Sequence, residues 1–409
     1  MTADPGIERA FREDAPRILG AVARTTGDLL LAEEAVQEAF ARAIAEAARG
    51  RAPQNPAAWI TTVARRVALD ALRRERATRR VAPMLAAEAE RAEQAGVDDA
   101  ERGVVPVFTG DERLELILLV AHPALAPEAR VALALRFVCG LPTARIADAF
   151  LVPEATMAAR LTRAKKRIHS AGMRFAVDDR AAVAERMPDA LTTIYLLYTA
   201  GYATADGSLR ADAIALARDA HRVVSTPESA GLLGLLLLTE ARSSTWLTGD
   251  DEFAPLREAD RSRWDARLLA EGEALATEAL SGDGRYGLQA GIAGLHAIAP
   301  TWQNTDWPAI VRLYDGLVRQ WPSASARLGR IVALGHSPDA GPEVGLAELT
   351  ADEALFDGVM AAQAYAARAE LLRLAGRAHA SAEALELAID ASGDDRVRRS
   401  LQRLLAALE

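Results

Sequence analysis

The sequence predicts an all-α protein: two small helical domains joined by a linker, the second built on a helix-turn-helix, and then a longer domain of helical repeats. Three observations carry this prediction. Apolar residues recur at three- and four-residue spacings through most of the chain. The second half lacks the alternating β-branched runs that strands need. The stretch from Leu141 to Ser170, LPTARIADAFLVPEATMAARLTRAKKRIHS, reads as two short helices across a tight turn.

In that stretch Ile146, Ala147 and Phe150 make a short amphipathic helix, Leu151-Val152-Pro153 breaks it, and Pro153 stands where a first helical position tolerates proline. Met157, Leu161, Ala164 and Ile168 then form one apolar stripe of a second helix. Thr156, Arg160, Arg163, Lys166 and Arg167 point elsewhere. A basic second helix of this kind is suited to lie in a DNA major groove.

A chain of 409 residues with 50% hydrophobic content suffices for two or three packed domains. Its net charge of −9 argues against nucleic acid until its distribution is considered. Residues 1–180 hold 27 Lys+Arg and 25 Asp+Glu, a net +2, whereas residues 181–409 hold 21 and 32, a net −11. Residues 51–80 alone carry eight arginines against Asp70 and Glu75, and both lysines of the protein, Lys165 and Lys166, end the candidate recognition helix. The single cysteine, Cys139, excludes an internal disulfide and reads as a core residue of a protein in a reducing compartment. The longest leucine-rich tract, Leu232 to Leu238, is far below the ~20 residues of a membrane span. These features predict a soluble, cytoplasmic protein with no membrane partner.

Taken in order, the chain is helical from Phe11 to about Ala48, interrupted at Gly27-Asp28. Leu30, Val36, Phe40 and Ile44 form the apolar stripe of the helix after that break, leaving the acidic face of Glu33, Glu34, Gln37, Glu38 and Arg42, which suits a protein partner better than DNA. Asn55-Pro56 caps the next helix, which runs from Ala57 to about Arg76. It packs Ile60, Val63, Ala64, Val67, Ala71 and Leu72 on one side and presents Trp59, Thr62, Arg65, Arg66, Arg73 and Arg74 on the other, with Asp70 among them. A file of guanidiniums beside an aromatic ring is the arrangement that binds single-stranded DNA by phosphate contact and base stacking; a tryptophan at helical spacing also serves as core.

DLLLAEEAVQEAFARAI, NPAAWITTVARRVALDALRRE and the helix-turn-helix, in this order and spacing, resemble an extracytoplasmic-function sigma factor of bacterial RNA polymerase, of the sigma-70 family. The resemblance covers residues 7–80 and 111–175. It implies a region 2-like domain over residues 1–80, an acidic linker over 81–110 and a region 4-like helix-turn-helix domain over 111–175. It also implies partners: core RNA polymerase, docked through its β′ clamp helices by Glu34, Gln37, Glu38 and Phe40, and promoter DNA. Trp59, Thr62, Arg65, Arg66, Asp70, Arg73 and Arg74 would meet the −10 element, and Thr156, Arg160, Arg163, Lys166 and Arg167 the −35 element. One departure matters. Where the family often has Ala-Arg-Asn, this chain has Ala64-Arg65-Arg66, replacing an amide able to read a base edge by a guanidinium suited to phosphate. The linker acids Glu88, Glu90, Glu93, Asp98, Asp99 and Glu101 either mimic nucleic acid along the RNA exit path, as the resemblance suggests, or form a solvated tether.

Residues 182–409 read as a helical regulatory domain. Its clearest unit, AARAELLRLAGRAHASAEALELAID, with Ala369, Ala388 and the Leu371–Gly376 turn, resembles a tetratricopeptide repeat. One sigma subgroup carries such extensions, with segments similar to YLLYTAGY and ADRSRWD here. The repeats imply a protein partner that the sequence does not identify.

No catalytic constellation, metal-ligand set or cofactor motif is found, and the protein is read as a non-enzyme. Gly282, Gly284 and Gly287 spell G-x-G-x-x-G but follow a helix instead of a strand and are expected to form a turn. The six histidines lack metal-ligand spacing. Two other readings stay open: a ligand-sensing helix-turn-helix regulator that never touches polymerase, and a repeat scaffold. The acidic face of residues 33–42 and the Trp59–Arg74 helix separate the first from a sigma factor, because a plain regulator needs neither.

Overall fold

The computed structural model describes residues 4–86, 112–170, 180–247 and 252–408. Among them the chain is helical throughout, with no β-strand beyond an isolated bridge between Leu247 and Phe253. No described helix is long and apolar enough to cross a membrane. The acidic residues expected of the linker, Glu88 to Glu101, lie outside the described residues. The chain divides into two compact units, Met1–Val224 and Ser225–Glu409.

The first unit begins with α1 (Pro5–Arg9), a π turn over Ala10–Asp14, α2 (Ala15–Thr26), α3 (Leu29–Ala48) and α4 (Pro56–Ala86). Gly27, in the left-handed region at φ 66°, ends α2. Asn55 caps α4 as expected, its Oδ1 accepting from the Ala58 amide at 3.1 Å. Residues 81–86, expected in the linker, continue α4. Helices α2, α3 and α4 pack on one another around Val22, Ala32, Ala39, Ile60, Ala64 and Ala68. The buried edge of α3 is Ala32, Ala35, Val36, Ala39, Phe40 and Ala43; Ile44, expected on that stripe, is 45% exposed. Small alanines let α3 lie close to α2 and α4, which turns Ile44 past the contact.

Four helices follow: α5 (Glu112–Val120), α6 (Pro127–Phe137), α7 (Thr143–Ala149) and α8 (Glu154–Ser170). The turn between α7 and α8 is tight enough to hold Leu151 at φ 54°, a left-handed conformation in which non-glycine residues are uncommon. Pro153 falls just before α8, one position ahead of its expected place.

Helices α9 (Arg180–Ala203) and α10 (Gly207–Val223), expected to open the extension at 182, belong to the first unit. The physical reason is apolar burial. Helix α9 packs against α5, α6 and α7 and buries Val183, Met187, Leu191, Ile194 and Leu197, and α10 packs back on α9. Polar contacts seal the seam: Arg186 donates to the Leu118 carbonyl at 3.2 Å and Arg113 pairs with Asp212 at 2.9 Å.

The second unit contains α11 (Pro227–Glu240), α12 (Ala266–Ala279), α13 (Arg285–Ile298), α14 (Trp307–Gln320), α15 (Ala324–His336), α16 (Pro342–Ala351), α17 (Ala361–Leu374), α18 (Ala378–Ala391) and α19 (Asp395–Ala406). Each packs chiefly on helices one or two places away in sequence, the signature of stacked helical hairpins. Helix α11 is apolar on nearly every side because α12 and α13 both cover it. The G-x-G-x-x-G stretch is only partly the expected turn. Gly284 caps α13, whereas Gly287 lies inside α13 where it crosses Gly231 of α11, so closely that a Cβ on Gly231 would sit 2.4 Å from the Gly287 nitrogen. The hairpin of α17 and α18 turns at Gly376, φ 73°, with Ala369 and Ala388 buried and the Ser381 hydroxyl donating to the Ala369 carbonyl at 2.8 Å.

Candidate nucleic-acid interface

On α8, Met157, Leu161, Ala164 and Ile168 are all buried, in the register expected. Their burial orients the rest of the helix: Thr156, Arg163, Lys166 and Arg167 are exposed, and Arg160 is half-buried with its guanidinium 5.5 Å from the centre of the Phe150 ring. Arg160, Arg163 and Arg167 line one side of a cleft of about 360 Å³, whose other side is Leu125, Glu128 and Ala129 at the start of α6. That helix start has no side-chain cap, and three guanidiniums outnumber the Glu128 carboxylate in the cleft beside it, a setting that favours an anion. Arg130 holds the loop ahead of α6 in place, donating to the carbonyls of Leu125 and Pro123, each at 2.8 Å. Arg167 also ties this loop, donating to the Ala124 carbonyl at 3.3 Å, so it positions the cleft as well as lining it.

On α4, Ile60, Ala64 and Ala68 point into the core, which leaves Thr62, Arg65, Arg66, Asp70, Arg73 and Arg74 exposed on the opposite side. Trp59 is half-buried at the helix start. The Asp70 carboxylate pairs with Arg73 at 3.2 Å, while Arg74 donates to the backbone carbonyl of Asp70 at 3.3 Å. Both ion-pair partners are well exposed, and such pairs add little stability.

On α3, Glu34, Gln37 and Glu38 are exposed. Phe40, expected on the same docking surface, is 6% exposed; its ring meets the Phe11 ring edge-on with centroids 5.3 Å apart. Buried between α3 and the start of the chain, Phe40 holds the helix and offers no surface. The acidic face also contains Glu33, to which Lys165 of α8 donates at 2.8 and 3.1 Å.

The second unit holds a cluster that sequence reading missed. His336 stacks on Trp307 with centroids 4.4 Å apart, His296 stacks on Trp302 at 5.7 Å, and the two indoles meet edge-on at 4.8 Å. These four residues span forty-one positions of sequence, and no local spacing links them. Burial, reinforced by Arg242, Arg261 and His336, pushes the His296 imidazole down to about 4. His336 is lowered by burial too, although Glu370, 3.4 Å away, opposes the shift. Both rings are therefore neutral at pH 7 and behave as apolar plates between hairpins. Among the described residues, no group of three or more His, Cys, Asp or Glu side chains could hold a metal ion. Cys139 keeps some exposed surface, but burial pushes its thiol up to about 12.

Comparison with known proteins gives three family matches along the chain. The Sigma-70 region 2 family matches residues 10–78 and the Sigma-70 region 4 family matches residues 115–168. A family of unknown function (DUF6596) matches residues 186–280, across the boundary between the two units. An uncharacterised protein of Rhizobium meliloti (strain 1021) is 35% identical over 425 residues, covering 99% of this chain and 97% of that protein. The probable ECF RNA polymerase sigma factor SigI of Mycobacterium tuberculosis, in strains CDC 1551 and H37Rv, is 29% identical over 184 residues, 44% of this chain and 59% of SigI. No solved structure matches.

Proposed function

The chain belongs to the extracytoplasmic-function type of sigma-70 factors, with a C-terminal helical extension, and from this premise we propose how its surfaces divide the work of an alternative sigma factor. Such a factor directs transcription initiation by joining core RNA polymerase to promoter DNA. We assign α8 to the −35 element: Arg163 and Lys166 face the duplex, Thr156 stands near the base edges, and the cleft between α8 and the start of α6 seats a backbone phosphate. The observation that carries this assignment is the complete burial of the Met157–Ile168 stripe, which leaves α8 one free face, and that face is basic.

Helix α4 takes the −10 element, with Arg65, Arg66, Arg73 and Arg74 tracking phosphates and Trp59 available to stack on an unpaired base. Arg66 in place of an amide shifts this helix toward backbone contact and away from base reading. Glu34, Gln37 and Glu38 of α3 meet the β′ clamp helices. The helical extension modulates these activities, and its acidity favours a basic protein surface as partner.

Run-off transcription with purified core polymerase on a library of genomic promoters tests this reading. The full chain is expected to give discrete transcripts that Arg163→Ala and Arg65→Ala each reduce. Sequence-specific DNA binding without any transcript would instead support a regulator that does not join the polymerase. Residues 1–224, the compact first unit, make the fair comparison for the role of the extension, since an end at 180 strips α9 and α10 from the helices they cover.

A further inference from the structure

We propose that the connection between α11 and α12 is an internal ligand of the second unit: its reach from Pro255 to Ser262 occupies a site for an extended segment of a partner protein, one that presents an arginine to Glu370 of α17 and displaces the reach. The proposal goes beyond the sigma reading, giving the extension a partner segment of stated chemistry and the residue that receives it.

The connection is long for a helical hairpin. It runs from Ala241 to Asp265, whereas Ala375–Arg377 suffices between α17 and α18, and loops of the longer kind in packed domains are usually functional. Its base is closed by bonds between its own two ends. The Ala254 amide donates to the Trp246 carbonyl at 2.8 Å, the Asp265 amide to the Ala241 carbonyl at 2.9 Å, and the buried Trp264 indole to the Thr245 hydroxyl at 3.0 Å. The reach between these ties differs: no residue from Ala254 to Arg263 is buried. Polar side chains tie it down. Arg261 donates to the carbonyls of His296 and Ala299 at the end of α13, at 2.5 and 2.7 Å, Arg257 pairs with Glu370 of α17 at 2.8 Å, and Glu258 accepts from Arg403 of α19 at 3.0 Å. The ADRSRWD stretch, residues 259–265, thus supplies both the base and one of these ties.

These contacts cross the stack. Helices α13 and α17 each open a hairpin, with α14 and α18, and α19 closes the series, so the reach follows one face of the unit. Stacked repeats touch mainly their neighbours, so contact between a loop of the first hairpin and α19, 145 positions on, places that loop on the inside of the curve of the stack, the surface on which repeat proteins bind. The bonds that hold the reach are ones a foreign segment can reproduce. Glu370 also accepts from Arg373 of its own helix at 2.7 and 2.8 Å, so its carboxylate keeps one cation and is open to a second when Arg257 leaves. The Ser400 hydroxyl donates to the Phe253 carbonyl at 2.8 Å, a backbone contact that any extended chain offers, and Arg403 provides a place for a carboxylate. Polar ties without a buried apolar anchor give the reach low local stability, and its closed base lets it lift while α11 and α12 stay packed.

The probe is a fluorescent peptide of residues 252–262, EFAPLREADRS, and the readout is its anisotropy with the full chain. In the wild type the tethered reach competes at an effective concentration on the order of 1 mM, so the peptide should bind weakly. Two variants open the site: replacement of residues 255–262 by a Gly-Ser linker of equal length, which keeps the base, and Arg257→Glu, which removes one tie. The linker variant is expected to bind the peptide at least about tenfold tighter than wild type, and Arg257→Glu about threefold or more. A peptide carrying Arg257→Glu is expected to lose about tenfold in affinity for the linker variant, because it sets a carboxylate against Glu370. Absence of binding to the linker variant, folded by circular dichroism, overturns the proposal; where that variant does not fold, absence of tighter binding to Arg257→Glu overturns it. Equal binding to wild type and variants overturns it too, as does binding indifferent to the change in the peptide. None of these results touches the sigma reading.

Discussion

Arg130 of α6 and Asp189 of α9 form an ion pair at 2.8 Å, both side chains less than a fifth exposed, across the point at which the helical extension was expected to begin. The guanidinium that ties down the loop beside the cleft of Arg160, Arg163 and Arg167 is therefore anchored by a residue from outside the region 4 match. Asp189→Ala is expected to destabilise the first unit by about 1–3 kcal/mol, since it leaves a largely buried arginine without its carboxylate. Urea unfolding of the full chain checks this. A fragment ending at 179 should aggregate where residues 1–224 stay monomeric, which sedimentation distinguishes.

The crossing of α11 and α13 leaves no room at Gly231. Gly231→Ala places a Cβ 2.4 Å from backbone, which no side-chain movement relieves, and should cost about 2–3 kcal/mol of second-unit stability. Gly393→Ala, where the Cβ meets nothing within 4 Å, is the control and should be neutral or slightly stabilising by about 0.4–1 kcal/mol. Thermal unfolding of both variants decides the matter.

His296 should make the second unit acid-sensitive. Its folded-state value is held down to about 4 from an ordinary 6.5, so below pH 6.5 the unfolded chain takes up the proton that the folded one refuses. Stability from this residue is complete above pH 6.5 and is lost as the pH falls toward 4, by about 3 kcal/mol in all. His296→Phe should flatten the dependence of melting temperature on pH in that window; an unchanged slope would place the acid sensitivity elsewhere.

Arg163 is exposed on α8 and lines the cleft, whereas Arg160 is drawn back onto Phe150. Arg163→Ala should weaken binding to all −35 sequences to a similar degree and lower the slope of log affinity against log salt by about 1, the mark of one lost phosphate contact. Fluorescence anisotropy at several salt concentrations measures that slope on the full chain.

Burial keeps the Cys139 thiol protonated, its value being pushed up to about 12, so alkylation by iodoacetamide at pH 8 should be negligible in the native protein and rapid in denaturant. Mass spectrometry of the intact chain reads this directly.

The sequence by itself determined the helical content, the register of α8 and the cap of α4. Each of these is local. Met157, Leu161, Ala164 and Ile168 repeat at the helical period whatever packs on them, and the Asn55 side chain reaches an amide three residues away. The hairpin at Gly376 is legible for the same reason, since a left-handed residue between two small-residue helices needs no distant partner to form. What covers each face is decided only in three dimensions. Periodicity marked both Phe40 and Ile44 as apolar on α3, but only contact with Phe11 and the closeness of the alanine-lined neighbours put one inside and left the other exposed. The same holds for the burial of α9 against the helix-turn-helix domain, the pairing of Glu33 with Lys165, and the gathering of His296, Trp302, Trp307 and His336. A helical repeat in sequence states that a face must be buried; which distant residues bury it depends on how the elements pack, and the neutral His296 ring and the extent of the first unit both follow from that packing.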